Sequence, residues 1–251
     1  MRALTDEQAV ADHVAGVLVE GMLDGSAWPL GLATGRTMEP VYAALVRRVA
    51  ALEQHQQQGL RQRWLSFNLD EYVGLGAADP GSFHAAMHRH LLEPLQLPPS
   101  RLRLPEGLAV DPHAEAERYG AALGAAGGIG LQLLGLGLNG HVGFNEPPAA
   151  AESRCHCLHL SAATRRQNAA VFGGDPAAVP ARAITLGLAE ILAARRILLV
   201  VTGAAKAPVL RALLRQRATA ELPASWLQGH PQVEVIADRA ALALALAEQP
   251  A

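Results

Sequence analysis

Aromatic residues are scarce in this chain, at 4% of 251 positions, and cysteine occurs only twice. Cys155 and Cys157 stand at i and i+2, a separation poorly suited to a mutual disulfide. A disulfide scaffold is thereby excluded, and a reducing, cytoplasmic setting is expected. The run C-H-C-L-H at 155–159 also lacks the C-x₂₋₄-C spacing of zinc sites, so no metal is expected. Neither sign of charge dominates: 21 Lys and Arg face 23 Asp and Glu, a formal net charge of −2. Long-range attraction to nucleic acid or to an anionic membrane is not expected from that balance, and an anionic ligand would have to be held by local positive groups. No apolar stretch reaches membrane-spanning length without a charge or a glycine. The first fourteen residues carry acids within a helical pattern, unlike a signal peptide.

What is present is a chain half hydrophobic and long enough to bury a sizeable core. Thr5, Asp6 and Glu7 read as a helix start with acids in the first turn, and apolar spacing carries that helix to Asp24 and Gly25. Strands are expected at 28–33, 64–69, 131–136, 196–202 and 233–237, with a strand-like run at 183–188. Helices are expected at 39–52, through Phe83, Met87 and Leu91, at 111–126, at 161–172 with Ser161 as cap, at 188–194, through Lys206, Leu210 and Leu214, and at 239–248. The glutamine-rich run 54–62 reads as a solvated helix end and loop, and 94–105 as an irregular connection. Residues 148–175 read as a lid, with a short strand near 157–160. Strands alternating with helices imply parallel strands joined by crossover helices. With no repeat, linker or charge block to divide it, the chain reads as one α/β domain over 1–251, a Rossmann-like layered, mostly parallel sheet flanked by helices.

Ligands in such sheets bind beyond the carboxyl ends of the strands. Four expected strand ends carry polar or glycine-rich turns, at 34–37, 70–72, 135–141 and 203–206, and form one pocket if their strands are neighbours. The third turn is the richest. In L-L-G-L-G-L-N-G-H-V-G-F-N-E-P, residues 133–147, glycines permit a tight turn and close approach of a ligand. Asn139, His141, Asn145 and Glu146 follow within a few residues. A histidine and a carboxylate at the mouth of a strand make an acid–base pair, with Glu146 placed to orient the imidazole and favour its protonated form. A lone histidine there also reads as structural. Gly135, Gly137 and Gly140 match the dinucleotide fingerprint G-x-G-x-x-G, but no acidic residue follows about twenty positions on, which leaves a nicotinamide-dependent oxidoreductase as a rival.

Thr34-Gly35-Arg36-Thr37 and Gly203-Ala204-Ala205-Lys206 each precede a helix, where backbone N–H groups, hydroxyls and the two cations can hold a phosphate. Taken singly, each also reads as an ordinary capped helix. Asp70 and Glu71 end a buried strand. Partial desolvation raises the pKa of such a carboxylate and suits it as a base, whereas a cap or salt bridge is the structural alternative. A base and a histidine over a phosphate site suggest aldose–ketose chemistry on a phosphorylated sugar.

A-T-G-R-T, F-N-L-D-E-Y-V-G-L and G-L-N-G-H-V-G-F-N-E-P, with W-L-Q-G-H-P before the last strand, together resemble the glucosamine-6-phosphate deaminase family over nearly the whole chain. The resemblance implies conversion of glucosamine 6-phosphate and water to fructose 6-phosphate and ammonia, in amino-sugar catabolism, without metal or cofactor. It implies that Asp70 moves a proton from C2 to C1, that His141 with Glu146 and Asn139 opens the ring, and that Gly35, Arg36, Thr37 and Lys206, beside Thr34, hold the phosphate. Three departures qualify it. Asn139 can position the histidine but cannot take a proton. Ala170 stands where well-studied members carry a phosphate-binding arginine, and Arg36, where the family often has Gly or Ser, is placed to restore that charge. The segment S-R-C-H-C-L-H-L-S at 153–161 lacks most of the basic residues that bind an acetylated activator in allosteric members. The hexamer of those members is therefore not carried over, though a homo-oligomer is compatible. Rival readings are a deaminase for another amino-sugar phosphate, a 6-phosphogluconolactonase, and a sugar-phosphate-binding regulator with weak turnover. From the divergence at 153–161, the rate curve for glucosamine 6-phosphate is expected to be hyperbolic and unchanged by N-acetylglucosamine 6-phosphate; a sigmoidal curve that the acetylated sugar straightens would refute this.

Overall fold

The structure, a computed structural model, describes residues 1–246. Strand β1 (Arg2–Leu4) leads to helix α1 (Glu7–Asp24), and β2 (Leu30–Leu32) to α2 (Met38–Ala50) and α3 (Gln54–Arg63). Strand β3 (Ser66–Asn68) runs on into β4 (Asp70–Tyr72), α4 (Phe83–Met87), a π-helical turn (His88–Leu92) and α5 (Glu93–Leu95). Then come β5 (Leu102–Arg103), α6 (Pro112–Ala125), β6 (Leu131–Gly135), β7 (His156–His159) and α7 (Ala162–Asn168), which ends in a 3₁₀ turn (Ala169–Phe172). Last are β8 (Arg182–Thr185), α8 (Leu188–Leu192), β9 (Arg196–Val201), a 3₁₀ turn (Ala204–Lys206), α9 (Ala207–Arg215), β10 (Val233–Asp238) and α10 (Arg239–Leu246). Residues 247 and 248, assigned to the closing helix by the sequence pattern, lie outside the described residues. No described helix is long and apolar enough to cross a membrane.

Seven strands form one sheet in the order β1-β10-β9-β6-β2-β3-β5, and every pairing in it is parallel. The expected layered α/β sheet is therefore present. The four strands whose carboxyl ends carry the polar turns, β9, β6, β2 and β3, are consecutive neighbours, so the turns do meet. Leu30, Leu32, Phe67, Leu133, Leu134 and Leu198 are fully buried between the helical layers. Such strands read as continuous apolar runs because both faces are covered.

Several local expectations fail for identifiable reasons. The polar run after Leu52 is helix α3: Glu53 and Gln56 form a capping box, with Glu53 N–H donating to Gln56 Oε1 at 3.2 Å, and glutamine is a good helix former. The connection 94–105 holds β5, which pairs with Ser66 and Phe67 at the sheet edge. The first helix is capped by Asp6, whose Oδ1 accepts from Ala9 N–H at 2.8 Å, rather than by Thr5. Ser161 caps α7 as expected, its Oγ accepting from Thr164 N–H at 3.1 Å. The helix expected from Lys206 begins as a 3₁₀ turn.

The sequence pattern also missed a second sheet of three antiparallel strands, β4-β8-β7. Two of its strands fall where short strands are expected, β7 near 157–160 and β8 near 183–188, but runs of three or four residues do not tell which partners they pair with. Tyr72, Phe144 and Ala183 found a separate small core above the parallel sheet. Three of the four phenylalanines (Phe83, Phe144 and Phe172) crowd around Tyr72, with ring centroids 4.7–5.6 Å from its own. The few aromatics are thus concentrated at one place, over the ends of the central strands.

Gly31 of β2 faces Gln132 of β6 across the ladder, and a methyl group there would collide with the Gln132 carboxamide. That carboxamide is fully buried and donates to Leu133 O at 2.9 Å. Gly31→Ala is expected to cost about 1–3 kcal/mol by overpacking, read as a lower denaturant midpoint with an unchanged slope.

Candidate active site

At Leu69 the chain passes from one sheet to the other. Its N–H donates to Leu32 O at 2.8 Å, and its carbonyl accepts from Leu186 N–H at 2.7 Å. Strand alternation beyond this pinned residue sends Asp70 and Tyr72 to one side and Glu71 to the other. Asp70 faces a cavity of about 270 Å³ that is also lined by the turn 34–37, His141 and Lys206. No side chain among the described residues hydrogen-bonds its carboxylate, which is 5% exposed. Burial, then the neighbouring Glu71 charge, holds the Asp70 pKa well above the usual carboxylate range.

Glu71 has the structural role. Its Oε1 accepts from Tyr72 N–H at 2.8 Å and Phe83 N–H at 3.0 Å, and its Oε2 from His84 N–H at 2.7 Å. It therefore ties β4 to the first turn of α4. Burial raises its pKa to about 7, although the three N–H donors pull downward.

His141 is held by its own loop. Asn139 Oδ1 lies 2.6 Å from His141 Nδ1 and accepts from the His141 backbone N–H at 3.3 Å. That backbone donor identifies the amide atom as the oxygen, so Nδ1 carries a proton and Nε2 keeps its lone pair. Gly137 lies against the ring, and any side chain there would occupy the imidazole's place. The Nδ1 partner is thus Asn139 and not Glu146, which accepts from Ser161 N–H at 3.3 Å and so joins the loop to α7. Nor is the protonated imidazole favoured. Burial pushes the His141 pKa down to about 4; Glu146 raises it, and Lys206 lowers it further. Asn145, fully enclosed, donates to Val142 O at 3.0 Å and Leu186 O at 2.9 Å, which makes it the pin of the loop.

Cations gather at the carboxyl ends of β2 and β9. Gly35 adopts φ 115°, open to glycine at little cost, and its carbonyl accepts from Met38 N–H at 2.8 Å. Thr37 makes no side-chain cap to α2, so its hydroxyl is not consumed by the helix, and Thr34 Oγ1 accepts from Asn68 Nδ2 at 3.1 Å. Lys206 is partly buried, and its pKa is lowered by that burial and then by Arg36. Neither Arg36 nor Lys206 has a salt bridge among the described residues, and with Asp70 held toward its neutral form by burial, the pair marks a place for an anion. Asn139 and Glu146 stand behind His141 rather than among the cavity-lining residues.

Sequence reasoning missed other parts of the wall. Tyr72 and Phe172, with Asn168 beside them, line the cavity over Asp70, and Arg89 and His90 of the π-helical turn line its side. Only the helical period of 83–91 bore on the last two, and it does not tell which face meets a ligand. Ala170 does line the cavity. The glycines 135, 137 and 140 end in a turn and the bridge Val142–Asn145, not in a helix, so the context of a dinucleotide fingerprint is absent.

The sequence profile of the glucosamine-6-phosphate isomerases/6-phosphogluconolactonase family matches residues 5–236. The chain belongs to this family. It is 40% identical over 238 residues to a glucosamine-6-phosphate deaminase of Geobacillus sp. (strain WCH70), covering 94% of this chain and 92% of that one. A glucosamine-6-phosphate deaminase of Rhodopirellula baltica is 42% identical over 239 residues, covering 95% and 93%. Among solved structures, a monomeric glucosamine-6-phosphate deaminase of the NagB superfamily superposes with a TM-score of 0.88 at 36% identity, covering 97% of this chain and all of that one. A 6-phosphogluconolactonase from Trypanosoma brucei, TM-score 0.72 at 22% identity and covering 96% and 97%, shares the fold.

The buried Asp70 leads to a test of stability. Its folded pKa lies above the unfolded value of about 3.9, so the protonated form stabilises the fold. That contribution is complete below the unfolded value and is lost as pH rises through the folded one. Asp70→Asn is expected to melt above the wild type at pH 8, with the difference closing as pH falls toward 4. Equal melting temperatures at pH 8 would show that the carboxylate carries no burial penalty.

Proposed function

We propose that this chain is a glucosamine-6-phosphate deaminase, converting glucosamine 6-phosphate and water to fructose 6-phosphate and ammonia. One observation carries the reading: an Asp70 carboxylate with no hydrogen bond among the described residues, a neutral His141 and the Arg36–Lys206 cations line one cavity. The family membership and the names of its relatives support the same reaction.

The turn 34–37 and Lys206 hold the phosphate of the substrate through backbone N–H groups, hydroxyls and charge. Ala170 leaves one wall without a cation, and Arg36 supplies charge from the other side. His141 Nε2, free to accept, takes the proton of the anomeric hydroxyl, while Asn139 holds the Nδ1–H and Glu146 stabilises the imidazolium that forms. The imidazolium returns a proton to the ring oxygen as the C1–O5 bond breaks, which frees the aldehyde.

The substrate ammonium then faces Asp70. A cation there favours ionisation of a carboxylate that burial holds neutral. Asp70 takes the C2 proton, an ammonium proton passes to O1, and an enolamine forms. Asp70 returns its proton to C1, and water hydrolyses the resulting C2 iminium to the ketone and ammonium, the protonated form of the ammonia released. Residues 148–175 serve as the lid, with Phe172 and Tyr72 excluding water from the reacting carbons.

In a joint assay, fructose 6-phosphate and ammonia are expected in equal amounts. Asp70→Asn is expected to lower kcat by about 10²–10⁴-fold, the range for a lost general base. Absence of both products with the wild type, or undiminished turnover in the variant, would overturn the reading.

A further inference from the structure

Beside the main cavity lies a second space of about 480 Å³, open to solvent, walled by Arg36, Leu138 and Asn139 on one side and by Thr164, Arg166 and Gln167 of α7 on the other. Arg36 and Gln167 line both spaces, so the second is the outer vestibule of the first. No carboxylate lines it. Arg36 and Arg166 are exposed, and neither guanidinium has a hydrogen bond or salt bridge among the described residues. Nearby arginines are employed otherwise: Arg165 donates to Ala177 O at 3.0 Å, and Arg154 meets Glu190 at 3.5 Å. Arg166 stands on α7 four residues before Ala170, which lies in the 3₁₀ turn that ends the helix and lines the main cavity.

We propose that Arg36 and Arg166 form an outer anion subsite, which takes a phosphate monoester at the cavity mouth and supplies from one turn earlier the cation that position 170 lacks. The naming of the sugar phosphate as its ligand rests on the reading above. Two like charges that share a vestibule without a counter-ion repel each other, and a dianion between them converts that repulsion into two charge-assisted contacts. Guanidinium groups suit this because each presents a planar pair of donors to phosphate oxygens.

Inorganic phosphate is the first probe, by calorimetry on the full chain, and glucosamine 6-phosphate kinetics the second. Arg166→Ala is expected to weaken phosphate binding and to raise KM about tenfold, the loss of one charge-assisted contact, with kcat within about twofold of the wild type. Arg154→Ala, exposed and outside the lining of both spaces, is expected to change neither. Arg166→Gln keeps the length of the side chain without its charge and gives the same reading if the alanine variant folds poorly. Phosphate affinity and KM both unchanged in Arg166→Ala and Arg166→Gln would overturn the subsite. Weaker phosphate binding in the variants, alongside a wild type that makes no fructose 6-phosphate, would uphold the subsite and refute only the substrate.

Discussion

The burial of two adjacent carboxylates at the junction of two sheets is the constraint on which this site depends. Leu69 is hydrogen-bonded to β2 on one side and to the end of β8 on the other, so the side chains that follow have no freedom of register. Slipping by one residue would exchange Asp70 and Glu71. Glu71 meets the backbone N–H of Tyr72 and the first two N–H groups of α4, whereas Asp70 meets none among the described residues. The same desolvation therefore acts on a helix anchor at Glu71 and on an unbonded carboxylate facing the cavity at Asp70.

The histidine loop follows a similar logic with different chemistry. Glycine at 137 leaves space for the imidazole, Asn139 sets its tautomer, and Asn145 pins the loop to the end of β8. Burial then keeps the ring neutral, with the lone pair of Nε2 available. Glu146 acts on it through its field and not through a hydrogen bond. The aromatic cluster over the strand ends completes the enclosure. A chain with four phenylalanines places three of them there, where large, rigid surfaces exclude water at little cost in side-chain entropy.

In a protein with almost no net charge, recognition of an anion must be local. Arg36 and Lys206 come from strands separated in the sheet by β6, and their mutual repulsion, with burial, depresses the lysine pKa. An anion placed between them would relieve that repulsion.

Much of this was legible in one dimension. Alternation of apolar strands with amphipathic helices determined a parallel sheet, because only crossover helices can join such strands. The positions of the strand ends determined which turns meet at one cavity, and with them Thr34, Gly35, Arg36, Thr37, Asp70, His141 and Lys206. Local chemistry also determined the caps at Ser161 and Asp111, since a cap bonds within three residues of itself. The tertiary structure alone decided the rest. It assigned opposite tasks to Asp70 and Glu71 and gave the imidazole to Asn139 rather than to Glu146. It also assembled β4, β8 and β7 into a second sheet and turned Arg89, His90 and Arg166 toward the cavity and its mouth. Each of these depends on contacts between segments far apart in the chain. Strands of three or four residues carry no periodicity from which such pairings could be read, and burial, which shifts Asp70, Glu71 and His141, exists only after the segments have met.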